Sequence, residues 1–389
     1  MNNKIEKAVL KDYDEVMDLT NYVFSHHQGT TDFPAMLPKL YKRENFMDNI
    51  HYIVREGGRI KAVVGAYSLE WEFKEQKSLP GRGIGMVSVH PYSRSRGYMK
   101  DLMNAALEDM KKDGMVFSCL NGQRQRYEYF GFNPAGIAYT FICSKRNIRH
   151  TLGHDWKSSL SIKPVGQGDE KILDSIQALH EAKPARLRRQ REGLFDILSS
   201  WHAKAYAIME GERFEGYFVV ETSRAGDQRI SEVNLFDLSR LTEVIGLFLD
   251  QGAKESLRIH SGPQETEKLS VLSRFCESYA QSPAFHFAIF DYKRFTEPFL
   301  KMASSLKTLA DGSFFFQING GLLLRLVVKQ GLASLEEGPG ASVLKLNNIE
   351  ALHFLFSPLT AVSLPAIREN TFLQSLLPLP LSYEGPDAI

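Results

Sequence analysis

No stretch of the chain approaches the run of about twenty apolar residues that a membrane-spanning helix needs. The opening segment MNNKIEKAVLKDYDEV also lacks the apolar centre of a secretory leader. Cysteine is scarce: Cys119, Cys143 and Cys276 are far apart, odd in number and form no CxxC pair. That excludes a disulfide framework or a zinc site and fits a reducing compartment, so a cytoplasmic location is expected. The 11 histidines contain no HExxH pattern, and the neighbours His26 and His27 diverge on most backbones, so no metal is expected. An excess of charge is missing too. With 47 basic against 46 acidic residues the net charge is +1, which offers no global attraction for nucleic acid or a membrane surface. No GxxxxGK[ST] loop is present, and Gly83 and Gly85 lie at the start of a strand-like run, not after it as a GxGxxG turn requires.

What is present is an ordinary soluble composition, 43% hydrophobic and 24% charged, in 389 residues. That is too long for one core and implies two or three domains. Asp12 and Glu15 suit the start of a helix on which Val16, Leu19 and Val23 share a face. HYIVREGGRIKAVVGAYSL (51–69) reads as a hairpin about Gly57-Gly58, followed by the strand RGIGMVSV (82–89). From Gly97, the residues Met99, Leu102, Met103, Ala106 and Met110 keep the spacing of an amphipathic helix. The order then recurs. HAKAYAIMEGERFEGYFVVE (202–221) is a second hairpin, ISEVNLFD (230–237) a strand and LTEVIGLFLDQG an apolar-faced helix, which suggests a duplicated unit. The last third is different, with antiparallel strands in 312–338 turning at Asn319-Gly320, then a helix over 346–358. Boundaries are expected near 150–165 and 290–305.

The two copies differ where strand meets helix. The first reads SVHPYSRSRGYMKDLM, with Arg94, Ser95, Arg96 and Gly97 at the join, whereas the second reads DLSRLT, with Asp237 and no glycine. A helix N-terminus presents unpaired N–H groups and partial positive charge. Glycine there admits a bulky anion, and arginines add charge-assisted bonds suited to phosphate. Only the first join has the makings of a pyrophosphate cradle; a solvated basic turn is its alternative reading.

Strand, cradle, amphipathic helix, strand and then RYEYFGFNPAG resemble the Gcn5-related N-acetyltransferases (GNAT), and among them the enhanced intracellular survival (Eis) type. The resemblance implies an α+β fold in three parts: a catalytic GNAT domain (1–155), a degenerate GNAT-like domain (156–295) and a domain like a sterol carrier protein (296–389). It implies acetyl-CoA as co-substrate, held by Val87, Ser88, Val89, Arg94, Ser95, Arg96, Gly97, Tyr98 and Met99. It implies an acetyl transfer to an amine of a small molecule or peptide by direct attack. Tyr127 matches the family's general-acid tyrosine, with Tyr129 two positions off. The α-carboxylate of Ile389 matches the terminal group that serves as base in mycobacterial members, against the alternative of a frayed end. The family's ring-shaped assemblies imply a homo-oligomer, trimer or hexamer. A different class remains open: a coenzyme A or lipid-binding protein without turnover.

The acceptor pocket is harder to read. Ser25-His26 stands where the mycobacterial pattern has an acid; Asp32, Glu70 and Glu72 are candidates to replace that charge or ordinary surface carboxylates. The cluster RLRRQR (186–191) has no interleaved aromatics and is read as a solvated helix face or loop, not a nucleic-acid site.

Overall fold

The computed structural model describes residues 4–389 except 75, 253, 322, 339, 341–343 and 384. Strands form where the β-branched and aromatic runs lie. The first are β1 (Ile5–Lys7), β2 (His51–Glu56), β3 (Arg59–Phe73), β4 (Leu79–Val89), β5 (Phe117–Leu120) and β6 (Asn133–Ala135). Then come β7 (Ala138–Ser144), β8 (Leu160–Pro164), β9 (Ala185–Leu187), β10 (Lys204–Glu210), β11 (Arg213–Thr222) and β12 (Gln228–Leu235). β13 (Ser256–Ser261), β14 (Ser278–Ser282) and β15 (Phe285–Ile289) follow. The final group is β16 (Gly312–Ile318), β17 (Leu323–Lys329), β18 (Leu332–Glu337) and β19 (Leu344–Leu346).

These strands build an α+β fold around three sheets. The first runs β1-β2-β3-β4-β5-β15-β6, with β9 paired to β3. The second runs β14-β7-β13-β12-β11-β10-β8, and the third β18-β17-β16-β19. The hairpin glycines take the left-handed conformation that two-residue turns need: Gly57 and Gly58 have φ of 59° and 77°. The duplication extends to irregularities. The β2–β3 ladder shifts register between Val54 and Arg55, and the β10–β11 ladder shifts between Ile208 and Met209, the same distance before its turn.

The first two sheets do not divide along the expected blocks 1–155 and 156–295. β7 leaves the N-terminal block to pair with β13 and β14, while β15 returns to lie between β5 and β6. Pairing follows long-range packing that local patterns do not encode. The other expected boundary, 295/296, falls inside the helix Tyr292–Leu306. Its buried Phe295 and Phe299 pack on Trp71 of β3, with ring centroids 6.3 and 5.4 Å apart. The third sheet therefore shares one core with a face of the first.

On the first sheet's other side lies the helix Tyr98–Lys112, whose Leu102, Met103, Ala106 and Met110 are buried as their spacing predicts. Burying each of the larger of these side chains contributes roughly 1.5–3 kcal/mol, which fixes the helix and the join before it.

Candidate active site

The site begins with an interruption in β4. β4 and β5 pair in parallel only at Gly81↔Phe117, Arg82↔Ser118 and Gly83↔Cys119; among the described residues the ladder goes no further. At the same point Met86 takes φ 54°, and the β3–β4 register shifts between Val63 and Gly65. One extra residue in a period-two strand reverses which face each later side chain meets. Ile84, Val87 and Val89 consequently face the core under the Tyr98–Lys112 helix, whereas Met86 joins the core on the opposite face. The result is a splayed strand end with peptide groups beside an opening. Ser88 is 1% exposed and its hydroxyl has no hydrogen-bond partner.

Beyond β4, Ser95 and Gly97 both adopt left-handed backbone, with φ of 65° and 81°. Gly97 is the N-cap of the helix and has no side chain with which to cap the N–H groups of its first turn. A Cβ at Gly97 would meet nothing within 4 Å, so the turn faces open space. Arg94, Ser95, Arg96 and Gly97 are exposed, while Tyr98 is buried and Met99 half-buried. Arg96 forms an ion pair with Glu56 at the end of β2. Ser93 Oγ and Tyr98 OH each donate to the same carboxylate at 3.3 Å. Glu56 thereby ties the join to the neighbouring strand. The uncapped N–H groups, open glycine and nearby guanidinium groups fit a diphosphate.

Tyr127 and Tyr129 part company. Tyr127 is 7% exposed, lies against Gly122, and belongs to the core that receives Val87, Val89 and Met99. Burial pushes its pKa up, and the adjacent Arg126 works in the opposite direction. Tyr129 is 66% exposed, with Lys100 Nζ 5.0 Å from its ring centre. The ring sits outside the splay.

Ile389 lies on the other face of β4. Its side chain is buried against Gly83 and Gly85, where added Cβ atoms would fall 2.0 Å from Cδ1 and 3.0 Å from Cγ2. The residues just before it are also held. Trp201 Nε1 donates to the Ala388 carbonyl at 3.0 Å, and Lys39 Nζ donates to that of Pro386 at 2.6 Å. The frayed alternative does not describe this segment. A cavity of about 250 Å³ adjoins Ala388 and Asn121 and is lined by His260, His286, Arg229 and Tyr383.

Sequence reasoning missed the partners of RLRRQR. Arg186 pairs with Glu72, Arg188 with Glu70 and Glu72, Arg189 with Glu232 and Asp387, and Arg191 with Glu170 and Asp174. Part of the cluster is the strand β9 on β3, so the solvated reading is corrected: carboxylates distant in sequence neutralise it. The same pairs engage Glu70 and Glu72, and Asp32 accepts a hydrogen bond from Ala35 N at 3.2 Å. Ser25 Oγ accepts from Thr31 N at 2.9 Å. Local signals for these pairings are absent. Among the described residues there is no cluster of three or more histidine, cysteine or acidic side chains able to hold a metal, and no helix long and apolar enough to cross a membrane.

Residues 4–135 match the family model of the acetyltransferase (GNAT) domain. Several solved structures share the fold over nearly the whole chain. A conserved protein from Enterococcus faecalis V583 is 17% identical, with a TM-score of 0.69 and coverage of 98% of each chain. A GCN5-related N-acetyltransferase from Kribbella flavida is also 17% identical, with a TM-score of 0.63 and 98% of each chain covered. Eis1 from Mycobacterium abscessus is 10% identical, with a TM-score of 0.65 and 99% of each chain covered. No curated protein matches the sequence.

Proposed function

This chain carries a GNAT acetyltransferase domain within an Eis-type fold, and from that premise we propose that it transfers an acetyl group from acetyl-CoA to an amine of a small molecule or peptide. The observation that carries the reading is the open, uncapped turn at Ser95–Gly97 beside the β4–β5 splay, with Tyr127 in the same core. In this reading the pyrophosphate lies on the first turn of the Tyr98–Lys112 helix. The pantetheine arm follows Val87, Ser88 and Val89, with a backbone N–H there polarising the thioester oxygen.

The neutral amine attacks the thioester carbon, forming a C–N bond and a tetrahedral oxyanion. Collapse breaks the C–S bond, and the departing thiolate takes the Tyr127 proton. A phenol holds its proton through the neutral range and burial holds it more firmly, so the acid is protonated before the bond breaks. The proton lost by the amine passes to a base, for which the α-carboxylate carried by Ile389 is the candidate. Appending two glycines after Ile389 is expected to lower kcat while acetyl-CoA affinity holds; unchanged kcat reassigns the base to water. Asp387 is a poor substitute because Arg189 binds it, and Glu384 lies outside the described residues.

Glu70 and Glu72 are already paired with Arg186 and Arg188, so neither is proposed as the acid that receives the amine. The test is thiol release from acetyl-CoA with polyamines, lysine-containing peptides and aminoglycosides. Release with at least one amine is expected. Tight coenzyme binding without release from any amine overturns catalysis in favour of a binding protein. Light scattering is expected to give a trimer or hexamer, and a monomer at micromolar concentration contradicts that assembly.

A further inference from the structure

A deeply buried ion network lies outside the cradle, at the contact between the second sheet and the C-terminal segment. Arg189 has a side-chain exposure of 0%. Its Nε and Nη2 each reach Asp387 at 2.9 Å, one bond to each carboxylate oxygen. Nη2 and Nη1 reach Glu232 of β12 at 2.7 and 3.3 Å. Glu232 also accepts from Lys183 Nζ at 2.9 Å, Asn234 Nδ2 at 2.9 Å and the Tyr217 hydroxyl. A charge buried without its counter-charge is strongly destabilising, so the network strongly favours a state with Asp387 docked.

Asp387 lies two residues before Ile389, whose side chain reaches β4. Its own carbonyl accepts from Tyr383 OH at 3.2 Å, and the Tyr383 ring stacks on Phe285 of β15, centroids 4.5 Å apart. With the bonds to Pro386 and Ala388, the segment is fastened from both sheets, and Ile389 lands on Gly83 and Gly85. The planar guanidinium suits this task because its fork serves two carboxylates at once, which a lysine ammonium cannot do in fixed geometry.

We infer that the second copy serves as a socket for the C-terminal segment, with Arg189 the positioning residue that fixes residues 386–389 against β4. The inference rests on the acetyl-transfer reading for its kinetic consequence but not for its structural one.

The experiment is Asp387→Asn in the full chain, which keeps side-chain size and removes the charge, with Arg189→Gln as the second variant. Expected are faster hydrogen exchange across the 379–389 peptide and a change in Trp201 emission, referenced to Trp201→Phe. The kcat for acetyl transfer is expected to fall on the order of 10–10²-fold, since small misplacements at a reacting centre are that costly. The Kd for acetyl-CoA is expected to stay within about twofold, because the cradle is not touched. Unchanged exchange and emission in both variants overturn the socket. A kcat loss matched by an equal loss of coenzyme affinity also overturns it, since that marks general structural damage. If wild-type protein releases no thiol with any amine, the acetyl-transfer reading fails, while exchange and emission still decide the socket.

Discussion

The joins at 90–97 and 236–240 begin from the same local plan and end in opposite states. In the first, Ser95 and Gly97 turn the backbone left-handed and leave the helix start without a side-chain cap. In the second, the Asp237 carboxylate accepts from Ser239 N at 2.9 Å and from Ser239 Oγ at 2.6 Å, and Arg240 pairs with Glu243 and Glu210. The aspartate caps the short turn Leu238–Arg240, as His90 caps Pro91–Ser93 in the first copy, and the helix Leu241–Asp250 then starts from Arg240. Both copies keep the splay: among the described residues, β12 pairs with β13 only at Arg229↔Arg258 and Ile230↔Ile259. The joins therefore differ in backbone and charge: left-handed residues and an open glycine in the first, and in the second a helix start at Arg240 without either, its arginine already held by two glutamates.

The largest expected effect tests whether chemistry belongs to the first copy alone. Tyr127→Phe removes one hydroxyl and should lower kcat by about 10²–10⁴-fold with acetyl-CoA affinity retained, read by steady-state kinetics and calorimetry. Tyr129→Phe should be nearly silent; the reverse result would exchange the two tyrosines.

Next comes the cradle itself. Gly97→Asp imposes a side chain on a backbone at φ 81° and sets a carboxylate where phosphate is expected. Each lost charge-assisted contact costs on the order of 1.5–3 kcal/mol. Acetyl-CoA affinity should therefore fall by roughly 10–10²-fold per lost contact, as measured by calorimetry on folded protein. Undiminished affinity would remove the difference between the joins.

A third contrast is between hairpins. Aligning the turn EGGR with EGER puts Ala205 at the position of His51. Burial pushes the His51 pKa down to about 4, and its Nε2 lies 3.0 Å from Tyr67 OH. The unfolded imidazole, near ~6.5, binds a proton that the folded one refuses, so stability is full above that value and falls as pH drops towards 4. The slope is at most about 1.4 kcal/mol per pH unit for this one group. Urea unfolding from pH 7.5 to 4.5 should show the slope in wild type and a flatter one in His51→Gln. Equal slopes would assign the acid sensitivity elsewhere.

The smallest effects are expected at the closed join. Asp237→Ala should cost about 1 kcal/mol of stability through the lost cap, without altering acetyl-CoA affinity. Ser239→Asp should leave coenzyme binding unchanged. A new binding event in either variant would mean that the second site was blocked by one residue.

What could be read from sequence was local. Hairpin glycines, the apolar face of 98–112 and the basic join each carry their cause within a few residues, and they stand where expected. The pairing of Tyr127 with the β4 core was legible only through the family motif. Arg189 was misread because its partners, Glu232 and Asp387, are remote in sequence and nothing nearby distinguishes it from Arg188, which is far more exposed. β15 between β5 and β6 was invisible for the same reason: an apolar run does not name its neighbours.

The exchange of β7 and β15 has a consequence for how the protein is made. Leu120 on β5 pairs with His286, so the catalytic sheet cannot close while the chain emerging from the ribosome ends short of β15. Until then β5 presents an unpaired edge, Phe117–Leu120, of the kind that recruits other chains. Contacts this far apart in sequence slow folding and prolong that exposure. Completion of the first sheet is thus coupled to synthesis of all the strands of the second, and a nascent chain released early is a candidate for aggregation.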